Sequence, residues 1–239
     1  MIFRKLSVII PVFNEASTIY KVLESVREVN LLNGIEMEII VVNDYSTDQT
    51  ESTIRKFILN FPEASIKYLC HHHNRGKGAA IQTAIQQATG DYLVIQDADL
   101  ELNPKDLNAL LKPVLDDHVD VVYGSRFMNR SKNERQTNRS YYANKFLTWF
   151  SNRCSGLHLT DMETCYKLMR TELVKRIELK EMRFGFEPEI TAKLSKIKGV
   201  RFTEVPVTYE MRTKEEGKKI GWKDGVRALV CIIRYNFHR

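Results

Sequence analysis

The sequence lacks any apolar run of the roughly 18 residues that a membrane-spanning helix needs, so no such helix is predicted. Its N-terminal apolar stretch is short and has no small-residue cleavage site, so no signal peptide is predicted either. The four cysteines are widely spaced and form no Cys-x-x-Cys pair, which favours reduced thiols in a cytoplasmic protein. No helix-turn-helix, zinc or ribonucleoprotein motif is present, and nucleic acid is therefore not expected as a partner.

Charge is distributed unevenly along the chain, although its net value is only +6. Residues 1–120 carry 11 Lys and Arg against 17 Asp and Glu, a net charge of −6. Residues 121–239 carry 25 against 13, a net charge of +12. The acidic half could hold a metal ion, and the basic half could face phosphates or an anionic membrane surface. An ordinary solvated basic face would give the same count, so composition leaves both interpretations open.

Strand and helix patterns alternate through the first half of the chain. Hydrophobic periodicity predicts strands at 6–12, 38–42, 66–70, 92–95 and 119–123, and helices at 15–29, 47–59, 77–88 and 104–115. Ser46 or Thr47 is the expected cap of the second helix, and Pro104 occupies the favoured first turn of the fourth. The order predicts an α/β fold with a mostly parallel sheet covered by helices on both faces.

The pattern is looser beyond residue 125, where a polar loop at 125–139 comes first. Helices are then predicted at 141–154, 186–197 and 222–237, and strands at 165–170 and 200–209. Neither a linker nor an internal repeat separates the halves, so one domain is expected. The last helix is amphipathic and suits either a membrane interface or packing on the core. Its apolar residues include Trp222, Leu229, Ile232, Ile233 and Phe237.

Three polar clusters fall where predicted strands end: Asn14-Glu15, Asn43-Asp44 and the Asp97–Asp99 stretch. Ligands of such sheets bind beyond the carboxyl ends of the strands, so the clusters should meet on one rim. Asp97 and Asp99 could converge on one hard cation. Considered alone, this pair would also suit a solvated acidic turn.

Four motifs occur in a fixed order: Ile-Ile-Pro-Val-Phe-Asn-Glu (9–15), Val-Val-Asn-Asp-Tyr-Ser-Thr-Asp (41–48), Asn-Arg-Gly-Lys-Gly-Ala (74–79) and Gln-Asp-Ala-Asp (96–99). Together they resemble the family 2 glycosyltransferases of the GT-A fold, most closely the branch that includes dolichyl- and polyprenyl-phosphate sugar synthases. The resemblance is strong over residues 6–127 and looser to the C-terminus. It implies one Rossmann-like GT-A domain at 1–239, with a nucleotide-sugar and metal-binding half at 1–127. An acceptor-side half with a basic C-terminal elaboration follows at 128–239.

The resemblance implies particular contacts with a nucleotide-diphosphate sugar. The residues implied in the nucleoside, diphosphate and sugar contacts are Pro11, Phe13, Glu15, Asp44, Lys77, Asp97, Ala98, Asp99, Arg126, Arg212 and Lys218. Asn43 stands where the family has the first aspartate of Asp-Asp-Gly-Ser, and Tyr45 stands where it has glycine. The family's usual base preference is therefore not assigned to this chain. Glu15 could instead support the N-terminus of the following helix.

In the family, the Asp-x-Asp motif binds Mg²⁺ or Mn²⁺ on the nucleotide diphosphate. The resemblance thus implies Asp97 and Asp99 as metal ligands, with Glu101 as a third. Gly76 and Gly78 open a helix, so backbone N–H groups and Lys77 could approach the diphosphate, although such glycines are also common in plain turns. A divalent cation would stabilise the charge that the leaving nucleoside diphosphate gains.

The resemblance also implies that cations of the second half neutralise phosphates. They are Arg126, Arg212 and Lys218, with Arg139 as a less secure candidate. Planar Arg and point-charge Lys both suit phosphate oxygens, although any one of them could be merely solvated. Asp161 and Glu187 are the remaining acid candidates. An alcohol acceptor would need a general base such as Asp161, whereas a phosphate acceptor, with a second pKa of about 6, is already nucleophilic. Asp161 would then position the acceptor or orient a cation.

The expected function is metal-dependent, inverting transfer of a sugar from a UDP- or GDP-linked donor to polyprenyl or dolichyl phosphate. Asp97, Asp99 and Asp161 are the expected catalytic residues. The expected location is cytoplasmic, with peripheral contact to the inner face of the membrane. Two alternatives stay open from the sequence: the same donor chemistry with a glycan or protein acceptor, and a non-catalytic module that binds sugar nucleotides.

Overall fold

The computed structural model describes residues 3–128, 139–210 and 222–237. The strands are Lys5–Val12 (β1), Glu36–Asn43 (β2), Ile66–Cys70 (β3), Tyr92–Ile95 (β4), Val121–Ser125 (β5), Lys167–Arg170 (β6) and Phe202–Pro206 (β7). The helices are Ile19–Arg27 (α1), Thr50–Asn60 (α2), Lys77–Gln87 (α3), Leu107–Asp117 (α4), Arg139–Ser155 (α5), Thr171–Lys175 (α6), Phe186–Ser195 (α7) and Trp222–Phe237 (α8). Every predicted strand and helix is present, and the short helix α6 is additional.

The strands form one sheet in the order β3-β2-β1-β4-β6-β5-β7. All neighbours pair in parallel except β6, which runs antiparallel to both β4 and β5. The predicted mostly parallel α/β sheet is thus confirmed. Because β6 is reversed, the chain that enters it arrives at the rim where β4 and β5 end. This topology places the residues before β6 beside the residues after β4 and β5.

The sheet is buried on both faces, as the nearly unbroken apolar runs of its strands require. In β1, Leu6, Val8 and Ile10 join the cluster on one face, while Ile9 joins the cluster on the other. Helices α1, α2 and α4 supply the first cluster, and α3, α5, α7 and α8 supply the second. The result is a three-layer arrangement in which the central strands are buried and the edge strands β3 and β7 are only partly buried.

Two helix starts differ from the sequence prediction. Helix α1 begins at Ile19 rather than residue 15 because the chain makes a turn at Asn14, whose φ is 51°. Helix α2 begins at Thr50, so the predicted caps Ser46 and Thr47 are wrong. Ser46 Oγ accepts from the N–H of Asn14 at 2.9 Å, and the N–H of Thr47 donates to Asn14 Oδ1 at 2.8 Å. The hydroxyl of Ser46 and the backbone N–H of Thr47 therefore tie the loop after β2 to the loop after β1.

Helix α8 has the predicted bounds and packs against α5 and α7. Ala228, Cys231 and Ile232 are buried in this contact. The carboxylate of Glu181, just before α7, accepts from Arg227 Nη2 at 2.7 Å and from the hydroxyl of Tyr235 at 2.8 Å. The prediction that this helix packs on the core is confirmed for one of its faces. Among the described residues, no helix is long and apolar enough to cross a membrane.

Candidate active site

Gln96, the residue after β4, fixes the loop that carries the predicted carboxylate pair. Its buried side chain donates through Nε2 to the carbonyl oxygens of Asp97 and Leu102, at 3.1 and 3.3 Å. Its Oε1 accepts from the hydroxyl of Tyr166. The strand end and this buried amide therefore hold Asp97 and Asp99 at the rim of the sheet.

Asp97 forms an ion pair with Lys77, the first residue of α3. Lys77 Nζ lies 2.8 Å from Oδ1 of Asp97, 2.9 Å from Sγ of Cys165 and 3.6 Å from Oε1 of Glu187. Burial is the largest influence on the pKa of Asp97 and would raise it, but the charge of Lys77, the hydrogen bonds of Cys165 and Lys77 and the charge of Arg126 together outweigh burial, so the pKa is lowered overall. Burial is likewise the largest influence on Lys77 and opposes its charged form, but Asp97, Cys165 and Glu187 together outweigh burial, so the pKa of Lys77 is raised well above its ordinary value. The rim thus holds a charged ammonium group beside the carboxylate pair.

Asp99 shares its loop with a third carboxylate, that of Glu101. The N–H of Glu101 donates to Asp99 Oδ1 at 3.2 Å, and Glu101 Oε2 accepts from the hydroxyl of Tyr209 at 3.1 Å. Burial, followed by the charges of Asp97 and Glu101, raises the pKa of Asp99 to about 7. Carboxylates held this close repel one another unless a proton or cation offsets their charge.

The carboxylates of this loop suit a hard divalent cation whose coordination shell a substrate would complete. Within the ranges that the structure describes, no three His, Cys, Asp or Glu side chains are placed to hold one metal ion. Asp97, Asp99 and Glu101 therefore do not form a ready-made three-ligand site. Mg²⁺ in proteins is commonly bound by one or two carboxylates together with substrate phosphates, and Mn²⁺ favours the same oxygen ligands. Asp97 and Asp99 fit that pattern, and Glu101 as a further ligand stays a prediction.

Arg126, just beyond β5, is clamped by Asp161. Its Nε and Nη2 donate to Oδ2 and Oδ1 of Asp161 at 2.7 and 2.8 Å, and its backbone N–H donates to Oδ2 at 3.0 Å. Burial is the largest influence on Arg126 and opposes its charged form, but the charge and hydrogen bonds of Asp161 and the nearby Tyr209 and Cys165 together outweigh burial, so the pKa of Arg126 is raised. The N–H of the fully buried Asp161 donates to Oε1 of Glu204 at 3.0 Å. With both oxygens occupied by Arg126, Asp161 is placed to orient a cation rather than to accept a proton.

The residues predicted to grip the nucleoside lie in the loops after β1 and β2. Pro11 is buried at the end of β1, and Phe13 is half-buried. Glu15 Oε2 accepts from the hydroxyl of Thr18 at 3.0 Å. That hydroxyl also donates to the carbonyl oxygen of Ala98 at 2.7 Å and so joins this loop to the carboxylate loop. Contact of these side chains with a nucleoside stays a prediction.

Asp44 shapes the neighbouring glycine loop. Its Oδ1 lies 2.6 Å from His71 Nδ1 and accepts from the N–H of Arg75 at 2.9 Å, while Oδ2 accepts from the N–H of Gly76 at 2.7 Å. The side chain is nearly inaccessible, at 2% exposure for the residue. Asp44 therefore holds residues 71–76 in place, and its direct role toward a base stays a prediction.

The glycines of the 74–79 motif allow its backbone to pack closely against the backbone of residues 181–183. A Cβ on Gly76 would lie 2.5 Å from the carbonyl oxygen of Met182, and one on Gly78 would lie 2.2 Å from that of Glu181. The N–H of Ala79 donates to the same Met182 oxygen at 3.0 Å. The N–H group of Gly76 donates to Asp44 and that of Ala79 donates to Met182. The prediction that backbone N–H groups cradle a diphosphate is thus wrong for these two residues. The segment contributes the ammonium group of Lys77 to the site.

The stretch before β6 supplies residues that the motifs do not single out. Asp161 contacts Arg126, Cys165 contacts Lys77, and Glu163 lies between them in the chain. They lie within five consecutive residues, in the turn and bend that lead into β6. Two acids and a thiol this close together, directly before a strand, are the signal in the sequence that could have grouped them. Arg212 and Lys218, and the side chain of Arg139, lie outside the described residues, so their predicted phosphate contacts have no structural account.

The family model of glycosyl transferase family 2 matches residues 7–178. The chain belongs to this family. Its relatives include proteins whose names contain a polyprenyl or dolichol phosphate. The dodecaprenyl-phosphate galacturonate synthase of Rhizobium johnstonii is 26% identical, and the match covers 98% of this chain and 67% of that protein. The dolichol-phosphate mannosyltransferase of Pyrococcus furiosus is 28% identical, and the match covers 91% of this chain and 60% of that protein.

The fold is shared with a solved structure, that of glucosyl-3-phosphoglycerate synthase from Mycobacterium tuberculosis, crystallised with Mn²⁺, UDP and phosphoglyceric acid. The superposition has a TM-score of 0.73, with 18% identity, and covers 98% of this chain and 79% of that one. At this identity the likeness establishes the fold alone, and it confirms the predicted GT-A architecture.

Proposed function

We propose that the protein transfers one sugar from a nucleotide-diphosphate donor to a polyprenyl or dolichyl phosphate. One observation supports this most strongly: Asp97 and Asp99 share the rim of the sheet with two partly buried cations, Lys77 and Arg126. A carboxylate pair suits a divalent cation, and the two cations suit phosphate oxygens. The names of the relatives from Rhizobium johnstonii and Pyrococcus furiosus support a lipid-phosphate acceptor.

In the proposed reaction, Asp97 and Asp99 hold Mg²⁺ or Mn²⁺, which offsets the charge of the departing nucleoside diphosphate. Lys77 and Arg126 bind phosphate oxygens and are charged before the substrate arrives. Because Asp161 already fixes the guanidinium of Arg126, little reorganisation is needed as negative charge develops on the leaving group. Pro11, Phe13, Glu15 and Asp44 stay the candidates for the nucleoside.

The acceptor chemistry follows from the same geometry. A phosphate monoester has a second pKa of about 6, so its oxygen is nucleophilic near neutral pH without a base. Asp161 is paired with Arg126, which supports the interpretation that it orients a cation. A single displacement by the acceptor phosphate would invert the configuration of the anomeric carbon.

A membrane surface is the partner that suits the exposed faces of α5 and α8. Seven of the twelve large apolar side chains that are exposed in the described residues lie on these two helices: Tyr142, Phe146, Trp149, Val226, Val230, Ile233 and Phe237. Helix α5 contains no acidic residue, and α8 contains one, Asp224. Apolar ridges with an excess of cations bind anionic bilayers. We therefore include peripheral contact with an anionic lipid surface in the proposal, and the cytoplasmic location stays a prediction.

Calorimetric titration of UDP- and GDP-sugars with and without Mn²⁺ tests the donor site. We expect metal-dependent binding of one donor class, and loss of that dependence in Asp99→Asn. Glu172→Gln, at an exposed ion pair on α6, is the matched control. If no nucleotide sugar binds in the presence of Mn²⁺ or Mg²⁺, the proposed function is wrong.

Vesicle flotation tests the membrane surface. We expect binding to phosphatidylcholine vesicles that contain phosphatidylglycerol, and weaker binding in salt. The double variant Phe146→Glu, Ile233→Glu should lose binding. Leu59→Glu, which changes an exposed apolar residue of α2, should retain it. Equal flotation of both variants would contradict the assignment of this surface.

A further inference from the structure

Glu163 carries an unexplained carboxylate oxygen. Its Oε1 is buried and has no hydrogen-bond partner, one of four such side-chain atoms in the described part of the chain. The other three belong to Arg27, Arg170 and Thr171. A buried acceptor without a donor is costly and is rare in folded proteins. A ligand that supplies hydrogen-bond donors would explain it.

In the chain, Glu163 stands between the residues that contact the two cations of the candidate active site. Two residues earlier, Asp161 pairs with Arg126, and two residues later, Cys165 lies 2.9 Å from Lys77 Nζ. Thr164 fixes the segment to the end of β5, since its hydroxyl donates to the carbonyl oxygen of Gly124 at 2.6 Å. Glu163 itself is half-buried, so part of the residue is accessible to solvent.

The cations nearest to Glu163 are committed to other acceptors. Lys167 Nζ donates to the carbonyl oxygens of Met162, at 3.0 Å, and Thr164. Arg126 places two donors on Asp161. Neighbouring acids make an ion at this position less favourable: burial, then the charge of Glu187, raises the pKa of Glu163 to about 7. Donors that arrive with a ligand would stabilise the ionised carboxylate.

We propose that Glu163 accepts hydrogen bonds from hydroxyl groups of the sugar that is transferred, and so discriminates among donor sugars. The inference rests on the proposed function, because the sugar must extend past a diphosphate held by Lys77, Arg126 and the carboxylate pair. Sugar hydroxyls are donors, and one carboxylate can accept from two neighbouring hydroxyls. A general base is not required there, since the proposed acceptor phosphate is already nucleophilic.

The test compares donors with and without their sugar. Titration of UDP and GDP, and of UDP-glucose and GDP-mannose, is carried out with Mn²⁺ on the wild type, Glu163→Ala and Glu163→Gln. We expect Glu163→Ala to bind the nucleoside diphosphate as the wild type does, but to bind the nucleotide sugar about 10- to 100-fold more weakly. Glu163→Gln keeps an acceptor oxygen and should show a smaller loss. Glu172→Ala, at an exposed pair, should change neither affinity.

Deoxy donors then identify the contact. A donor that lacks the recognised hydroxyl should lose affinity for the wild type and show no further loss with Glu163→Ala. Equal affinity of Glu163→Ala and wild type for every nucleotide sugar would overturn the inference and leave the proposed function standing. Loss of turnover with unchanged sugar affinity, together with loss of the acidic limb of the pH profile, would also overturn it. If the wild type binds no nucleotide at all, the proposed function itself fails.

Discussion

The Arg126–Asp161 pair provides the sharpest test of how the site is built. Asp161 is fully buried, and it accepts three hydrogen bonds from Arg126, at 2.7, 2.8 and 3.0 Å. Asp161→Asn would keep the shape of the side chain but leave the guanidinium without its counter-charge. Removing one partner of a buried ion pair costs about 3–5 kcal/mol, and the polar amide should place this variant near 3 kcal/mol. Loss of both partners to apolar residues is commonly close to neutral.

Urea unfolding followed by circular dichroism measures both changes. For a slope of about 2 kcal/mol per molar urea, Asp161→Asn should lower the midpoint by about 1.5 M. The exposed pair Glu172–Arg176 is the control, and Glu172→Gln should cost less than about 1 kcal/mol. The double variant Arg126→Met, Asp161→Leu should recover most of the stability and still bind a nucleoside diphosphate poorly. If it is as unstable as Asp161→Asn, an uncompensated Arg126 is not the cause.

Three further predictions follow from the fold. Burial alone would raise the pKa of Glu38, but its hydrogen bonds together outweigh burial and lower the pKa from 4.5 to about 2. The stability that ionised Glu38 contributes is therefore complete above pH 4.5 and is lost as the pH falls toward 2. Glu38→Gln should cost about 3 kcal/mol near neutral pH and about 1 kcal/mol near pH 3 in urea unfolding; a constant cost would contradict this. Gly78→Ala should lower the melting temperature because its Cβ meets backbone, whereas Gly225→Ala, with open space around it, should stabilise α8 by about 1 kcal/mol. Iodoacetamide should label the exposed Cys70 of the native protein and spare the buried Cys231, whose pKa burial raises to about 12. Mass spectrometry identifies the labelled residue, and labelling of Cys231 would contradict the packing of α8.

The sequence predicts the fold well where one physical signal dominates. Strand β1 is apolar at nearly every position, and α1 carries Ile19, Val22, Leu23 and Val26 at helical spacing. Element ends are harder to predict because they depend on contacts between loops. Ser46 and Thr47 have the side chains of helix caps, yet both bond Asn14 of another loop instead. The reversal of β6 has no signal in its own residues, since an apolar strand pairs in either direction.

The candidate site is predictable as far as short motifs reach. Asp97, Asp99 and Arg126 directly follow strands, so their place on the rim follows from the parallel order. Glu204 and Tyr209 come from the last strand region and meet the site only through the sheet. The glycine motif is misleading for a different reason. A close backbone neighbour and an anion both require glycine, and the sequence of the motif does not distinguish them.

The close approach of Gly78 to Glu181 has a consequence for protein engineering. The same Glu181 is bonded to Arg227 and Tyr235, so α8 holds the segment against which the start of α3 is packed. The position of Lys77 is therefore set partly by residues more than a hundred positions away in the chain. The first 127 residues are not an interchangeable donor cassette. A chimera that grafts them onto a foreign second half would need to import residues 181–183 and α8 as well, or lose the alignment of Lys77 with Asp97.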